Sequence, residues 1–82
     1  MVCHVYVLRS ATSGRLYVGH TSDLDRRLAE HRSGQTPSTR GRGPWERVAS
    51  KAFGTRSEAV LAERALKAFK SPRRVLDAVA SW

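Results

Sequence analysis

Val5, Tyr6, Val7 and Leu8 form a β-branched and apolar run, Ser13-Gly14 supplies a turn, and Leu16, Tyr17 and Val18 begin a second run of the same kind. Two such runs joined by a Gly-containing loop predict a β-hairpin, with strands over about residues 3–9 and 15–20. Side chains alternate faces along a strand, so a suitable register brings Tyr6 and Tyr17 to one face. Gly19 stands where a side chain would obstruct a turn or the close approach of a backbone or ligand. Thr21-Ser22-Asp23 then opens a helix, with Ser22 as N-cap and Asp23 and Asp25 in the first turn, where carboxylates favour the positive end of the dipole. Leu24, Leu28 and His31 recur at i, i+4 and i+7, one stripe directed at the sheet. Arg27 lies at the border of that stripe, and Gly34 closes the helix as its C-cap.

From Ser33 to Pro44 the pattern lapses into a Gly-, Pro-, Ser- and Arg-rich loop, long for a compact domain. Trp45 to Phe53 alternates imperfectly, as a third strand does, and Gly54 ends it. Thr55-Arg56-Ser57-Glu58 is a capping box for a helix beginning at Arg56. Along that helix Ala59, Ala62, Leu66 and Phe69 recur at helical spacing and are expected on the sheet, with Glu63 at the edge of the core. Pro72 is expected to end it, and Val75, Leu76 and Val79 predict a short final helix. Trp82 either caps the core or frays. The expected fold is α/β in composition, an α+β sandwich: a three-stranded antiparallel sheet flanked by two main helices and a short C-terminal one.

Composition narrows the class. Residues 1–82 read as a single domain near the small end of what folds without staples. Cys3 is alone, so no intramolecular disulfide forms, and the absence of a signal peptide or long apolar segment makes a cytoplasmic, membrane-free protein the expectation. Fifteen Lys and Arg against seven Asp and Glu give a net charge of +8. On a domain this small such an excess points to a polyanion partner, because each neutralised phosphate releases counterions. An anionic membrane is the weaker choice, since no helix combines a wide apolar face with basic flanks and interfacial aromatics. Arg40 and Arg42, in Arg40-Gly41-Arg42-Gly43, fit a phosphate chain as well as they fit a solvated linker, and Lys67 and Lys70 extend the basic surface. Cys3, His4, His20 and His31 have no zinc-site spacing.

Two phenols, an arginine and a histidine gathered in one hairpin–helix unit are an unusual concentration of polar chemistry. Taken singly, each has an ordinary explanation: strand tyrosines that pack their rings, a surface arginine beside Arg26, and a glutamate (Glu63) paired to Lys67 across one helical turn. Together they resemble the GIY-YIG nuclease family. Tyr6 matches the tyrosine of the first triplet, Tyr17-Val18-Gly19 the second triplet, Arg27 the catalytic arginine, His31 a histidine of many members, and Glu63 the metal-binding glutamate. The first triplet reads His4-Val5-Tyr6, without glycine, and the chain has no asparagine to match one found after a proline in several relatives.

What the resemblance implies is a divalent-metal-dependent endonuclease that hydrolyses DNA without a covalent intermediate, using Mg²⁺ or Mn²⁺. Glu63 would hold the metal and Arg27 would stabilise charge on the phosphate. The general base is left among Tyr6, Tyr17, His31 and His20, the last standing where several relatives carry a lysine. A small basic domain, lacking a second recognition module, is expected to cut with low sequence specificity, with a lean toward single-stranded or structured DNA, as a monomer or weak dimer. The alternative is a catalytically silent nucleic-acid-binding module of the same fold.

Overall fold

The computed structural model describes residues 2–34 and 43–82. Three strands, β1 (Cys3–Ser10), β2 (Leu16–Thr21) and β3 (Trp45–Phe53), form an antiparallel sheet in the order β2-β1-β3. Helix α1 (Leu24–Arg32) follows β2, and α2 (Arg56–Lys67) and α3 (Pro72–Val79) follow β3. The α+β sandwich with a three-stranded antiparallel sheet is as expected.

The central strand β1 is buried on both faces, which is why its apolar run is nearly continuous. Its odd-numbered residues Cys3, Val5 and Val7 join Val18, Ala59, Leu66, Val75 and Val79 in one core beneath α2 and α3. The even-numbered Tyr6 and Leu8 join Leu28 and Trp45 in a second core beneath α1, with Tyr17 and Leu24 packed against it. The predicted stripes of α1 and α2 therefore cover opposite faces of the sheet.

The imperfect alternation of β3 has a cause. Val7 pairs with Ala49 and Leu8 with Arg47, so Val48 is one extra residue in a β-bulge. The bulge reverses the phase of the strand, which is how Trp45 reaches the α1 core while Phe53, of the same parity, packs on the α2 side. Trp82 also packs on the α2 side, its ring 6.3 Å from that of Phe53, so the C-terminus caps the core.

Three local expectations are corrected. The N-cap of α1 is Asp23 and not Ser22: the Asp23 carboxylate accepts the Arg26 backbone N–H at 3.2 Å, and Thr21 Oγ1 accepts the Asp23 N–H at 3.1 Å. A carboxylate at this position adds attraction to the helix dipole to the cap hydrogen bond. Pro72 opens α3 at its first turn, where its missing N–H costs nothing, while α2 has already stopped at Lys67. Phe69 consequently falls outside the α2 stripe and stands exposed. The expected cap of α2 is present, Thr55 Oγ1 accepting the Glu58 N–H at 3.2 Å. Gly34, at φ +77°, follows the last turn of α1 in the left-handed conformation that glycine adopts without strain.

Candidate active site

The β1–β2 register sets Tyr6 opposite Gly19 and Leu8 opposite Tyr17, so both phenols lie on the α1 face, their ring centroids 6.2 Å apart. The Tyr6 ring runs across the backbone of Gly19: a Cβ there would sit 2.6 Å from the Tyr6 hydroxyl oxygen and 2.8 Å from Cζ. Glycine at this position is required by the tyrosine it faces.

Helix α1 brings its polar residues onto the two rings. His31 is buried, only 2% exposed, and its Nε2 lies 3.0 Å from the Tyr6 hydroxyl, while its ring packs edge-on against Tyr17 at 4.8 Å. Burial first, then the charge of Arg27, lowers the His31 pKa below the ordinary imidazole value. Burial likewise pushes the Tyr6 phenol up to about 12, against an opposing contribution from Arg27. A neutral imidazole and a protonated phenol share one hydrogen bond here, and the His31 tautomer decides which of them donates: with the ring proton on Nδ1, Tyr6 O–H donates to Nε2.

Arg27 reaches the same cluster from one turn earlier. Its interaction with the Tyr6 hydroxyl, then with Glu30, raises its pKa further, and Tyr17 adds to this. Glu30 Oε1 accepts from Arg27 Nη1 at 2.9 Å, and Glu30 Oε2 pairs with Arg26 at 3.5 Å. Glu30 was not singled out from the sequence, although its i+3 spacing from Arg27 is a signal for such a pair.

His20 and Glu63 meet on the other side of β2. His20 pairs with Val5 and so faces α2, where its Nδ1 lies 3.3 Å from Glu63 Oε1; Lys67 Nζ approaches the same oxygen at 3.7 Å. Glu63 adds a small upward push to the Tyr6 pKa, an electrostatic link between the two groups. The structure thus gathers Tyr6, Tyr17, Arg27 and His31 into one cluster and His20, Glu63 and Lys67 into a second across the edge strand. Lys67 and Lys70 line a groove together with Arg15, Tyr17 and Phe69. Arg40 and Arg42 lie outside the described residues.

A cleft of about 610 Å³ opens between the start of α1 and the start of α2, lined among others by His20, Arg26, Arg27, Glu30 and Arg56. Arg26 and Arg56 were not among the expected binding residues; helical periodicity gives no reason to single out either. Among the described residues no three His, Cys, Asp or Glu side chains form a metal-binding group. A hard divalent cation does not need such a cage, because one or two carboxylates suffice when water and phosphate oxygens complete the shell. Glu63 fits that requirement: both of its neighbours, His20 and Lys67, approach Oε1, and among the described residues Oε2 accepts no protein hydrogen bond. No described helix is long and apolar enough to cross a membrane.

A family model described as the GIY-YIG catalytic domain matches residues 2–75. The chain is similar to a UPF0213 protein of Halalkalibacterium halodurans, 43% identical over 65 residues that cover 78% of this chain and 68% of that one. It is 40% identical to a UPF0213 protein of Natronomonas pharaonis over 78 residues, 90% of this chain and 91% of the relative. Its fold is similar to the solution NMR structure of a UPF0213 protein from Bacillus halodurans, with a TM-score of 0.61 and 40% identity over 98% of this chain and 84% of that one.

Proposed function

Since the chain belongs to the GIY-YIG catalytic domain family, a nuclease superfamily, we propose that this single domain is a divalent-metal-dependent endonuclease that hydrolyses DNA phosphodiester bonds with low sequence specificity. The observation that carries the proposal is the Tyr6–His31–Arg27 cluster, in which a phenol, an imidazole hydrogen-bonded to it and a guanidinium converge within one hairpin–helix unit.

Hydrolysis of a phosphodiester needs a water made nucleophilic and the growing charge on phosphorus stabilised. Arg27, held by Glu30 and beside the Tyr6 hydroxyl, would supply the second requirement to a phosphate bound next to the two phenols. Tyr6 supplies the first in concert with His31. With its pKa near 12, Tyr6 is a poor source of free phenolate. It can instead take a proton from water at Oη as its own proton passes to His31 Nε2, 3.0 Å away. His31, kept neutral by burial and by Arg27, is ready to receive it. Tyr17 packs on His31 and holds its ring in place.

Glu63 is the residue that would hold Mg²⁺ or Mn²⁺, together with substrate oxygens and water, and the cation when bound would neutralise charge on the phosphate. His20 orients the Glu63 carboxylate through Oε1. The excess of positive charge and the arginine-lined cleft favour DNA as the partner.

The test is cleavage of labelled single-stranded, duplex and branched DNA in Mg²⁺, Mn²⁺ or EDTA. Cutting that EDTA abolishes supports the proposal. Salt-sensitive binding without turnover in either metal supports the rival, a silent binding module.

A further inference from the structure

Beyond α2 the chain presents an aromatic side chain to solvent. Phe69 is 38% exposed and, among the described residues, is the one aromatic among the exposed large hydrophobics. The other five aromatics of the chain pack on one another or into a core: Tyr6, Tyr17 and Trp45 beneath α1, Phe53 and Trp82 beneath α2 and α3. Phe69 joins neither cluster. The position is imposed by the termination of α2 at Lys67, which turns Phe69 out of the stripe that Ala59 and Leu66 continue.

The surroundings of this ring are cationic. It borders a groove of about 410 Å³ that runs to Tyr17 and whose lining includes Arg15, Lys67 and Lys70. On its other side a smaller depression of about 320 Å³ is lined by Lys70 and Arg74. No Asp or Glu lines either depression. Tyr17, one of the residues lining the groove, also belongs to the Tyr6–His31–Arg27 cluster on the other face of β2, so it links the groove to the proposed active site.

We propose that Phe69 is the stacking platform for an unpaired DNA base next to the cleavage site, with Arg15, Lys67, Lys70 and Arg74 neutralising the phosphates on either side. The proposal rests on the nuclease reading for its direction along the strand, and it names the substrate as single-stranded DNA. A ring flanked by cations suits an unpaired nucleotide, whose base offers a π-face and whose backbone offers charge. A duplex keeps its bases stacked on each other and gains only the charge. Stacking does not read base identity, so the platform adds affinity for single strands without adding sequence preference.

The experiment uses the full chain in EDTA with an oligodeoxynucleotide carrying the fluorescent adenine analogue 2-aminopurine, as a single strand and as a duplex. Wild type, Phe69→Ala and Phe69→Trp are compared for affinity and for quenching of the analogue by stacking; cleavage by wild type in Mg²⁺ is run in parallel. The expected result is quenching of the single strand by wild type and by Phe69→Trp. Phe69→Ala should lose that quenching and about tenfold in single-strand affinity, the scale of one base–aromatic stack, with less than about twofold change on duplex. Equal loss on both DNA forms, no loss on either, or no single-strand binding by wild type overturns the platform. Wild-type cleavage with an indifferent Phe69→Ala removes the platform and leaves the nuclease reading standing. Selective loss in Phe69→Ala without any wild-type cleavage supports the platform and removes the nuclease reading.

Discussion

Gly19 faces Tyr6 directly across the β1–β2 pair, and a side chain at position 19 would begin 2.6 Å from the Tyr6 hydroxyl oxygen. The Tyr6 ring is buried between sheet and α1, so it has no room to swing aside. Gly19→Ala is therefore expected to push Tyr6 off His31 and to strain the packing by about 1–3 kcal/mol, the usual cost of an oversized side chain in a close-packed site. Denaturant titration measures the stability loss. The cleavage assay is expected to show activity falling further than that loss explains, because the displaced hydroxyl no longer meets His31 Nε2.

Glu30 holds Arg27 at 2.9 Å and Arg26 at 3.5 Å. Partly exposed ion pairs of this kind add little to stability, on the order of 0–1 kcal/mol. Glu30→Gln should accordingly leave the melting temperature close to wild type. Its effect belongs in turnover: a guanidinium no longer held in place is misaligned with the phosphate, and a misplacement of that kind can cost on the order of 10–100-fold in rate. A variant with wild-type stability and wild-type cleavage would remove Glu30 from the site.

Two of the shifted groups of the cluster, His31 and Tyr6, make stability fall at both ends of the pH range. His31 has a lowered pKa in the folded state, so below the ordinary imidazole value of 6.5 the unfolded chain binds the proton first and stability drops as pH falls. Tyr6 has its pKa raised from 10.0 to about 12, so between those values the unfolded phenol ionises first and stability drops as pH rises. Urea midpoints across pH should show His31→Gln flattening the acid limb and Tyr6→Phe flattening the alkaline one. The same argument gives cleavage that weakens in acid as His31 becomes charged.

Asp23, and not the preceding serine, caps α1 through its hydrogen bond to the Arg26 N–H. Asp23→Ala is expected to cost about 1 kcal/mol, and Ser22→Ala a small fraction of that. Thermal or urea denaturation of the two variants side by side decides between them.

That pair of residues illustrates how far the sequence could be read. Thr21, Ser22 and Asp23 are all competent caps, and which one serves depends on where the chain leaves β2. The backbone fixes this through Thr21 Oγ1 and the Asp23 N–H, a detail that residue type does not carry. The strands, by contrast, were legible because β-branched runs and turn residues act locally. Trp45 to Phe53 could be recognised as a strand, but not the reversal of its faces, since a bulge at Val48 depends on its pairing with β1. Phe69 looked like the next member of the α2 stripe because periodicity says nothing about where a helix stops. Tyr6 and Tyr17 on one face and His31 on the α1 stripe could be read from strand alternation and helical spacing, whereas the choice of Arg27 over Arg26 rested on the resemblance to the GIY-YIG family. Glu30 escaped notice because an acidic residue beside two arginines looks like any solvated helix face. The position of Glu63 and His20 across β2 was visible only in three dimensions.

Arg27→Ala and Glu63→Ala, assayed beside wild type on labelled single-stranded, duplex and branched DNA in Mg²⁺, Mn²⁺ and EDTA, test the central claim most directly. Removing a charge-stabilising donor such as Arg27 is expected to slow turnover by on the order of 10²–10³-fold. The account predicts metal-dependent cutting by wild type that both substitutions abolish while DNA binding persists. Cutting that survives both substitutions, or tight salt-sensitive binding by wild type with no cutting in either metal, would contradict it.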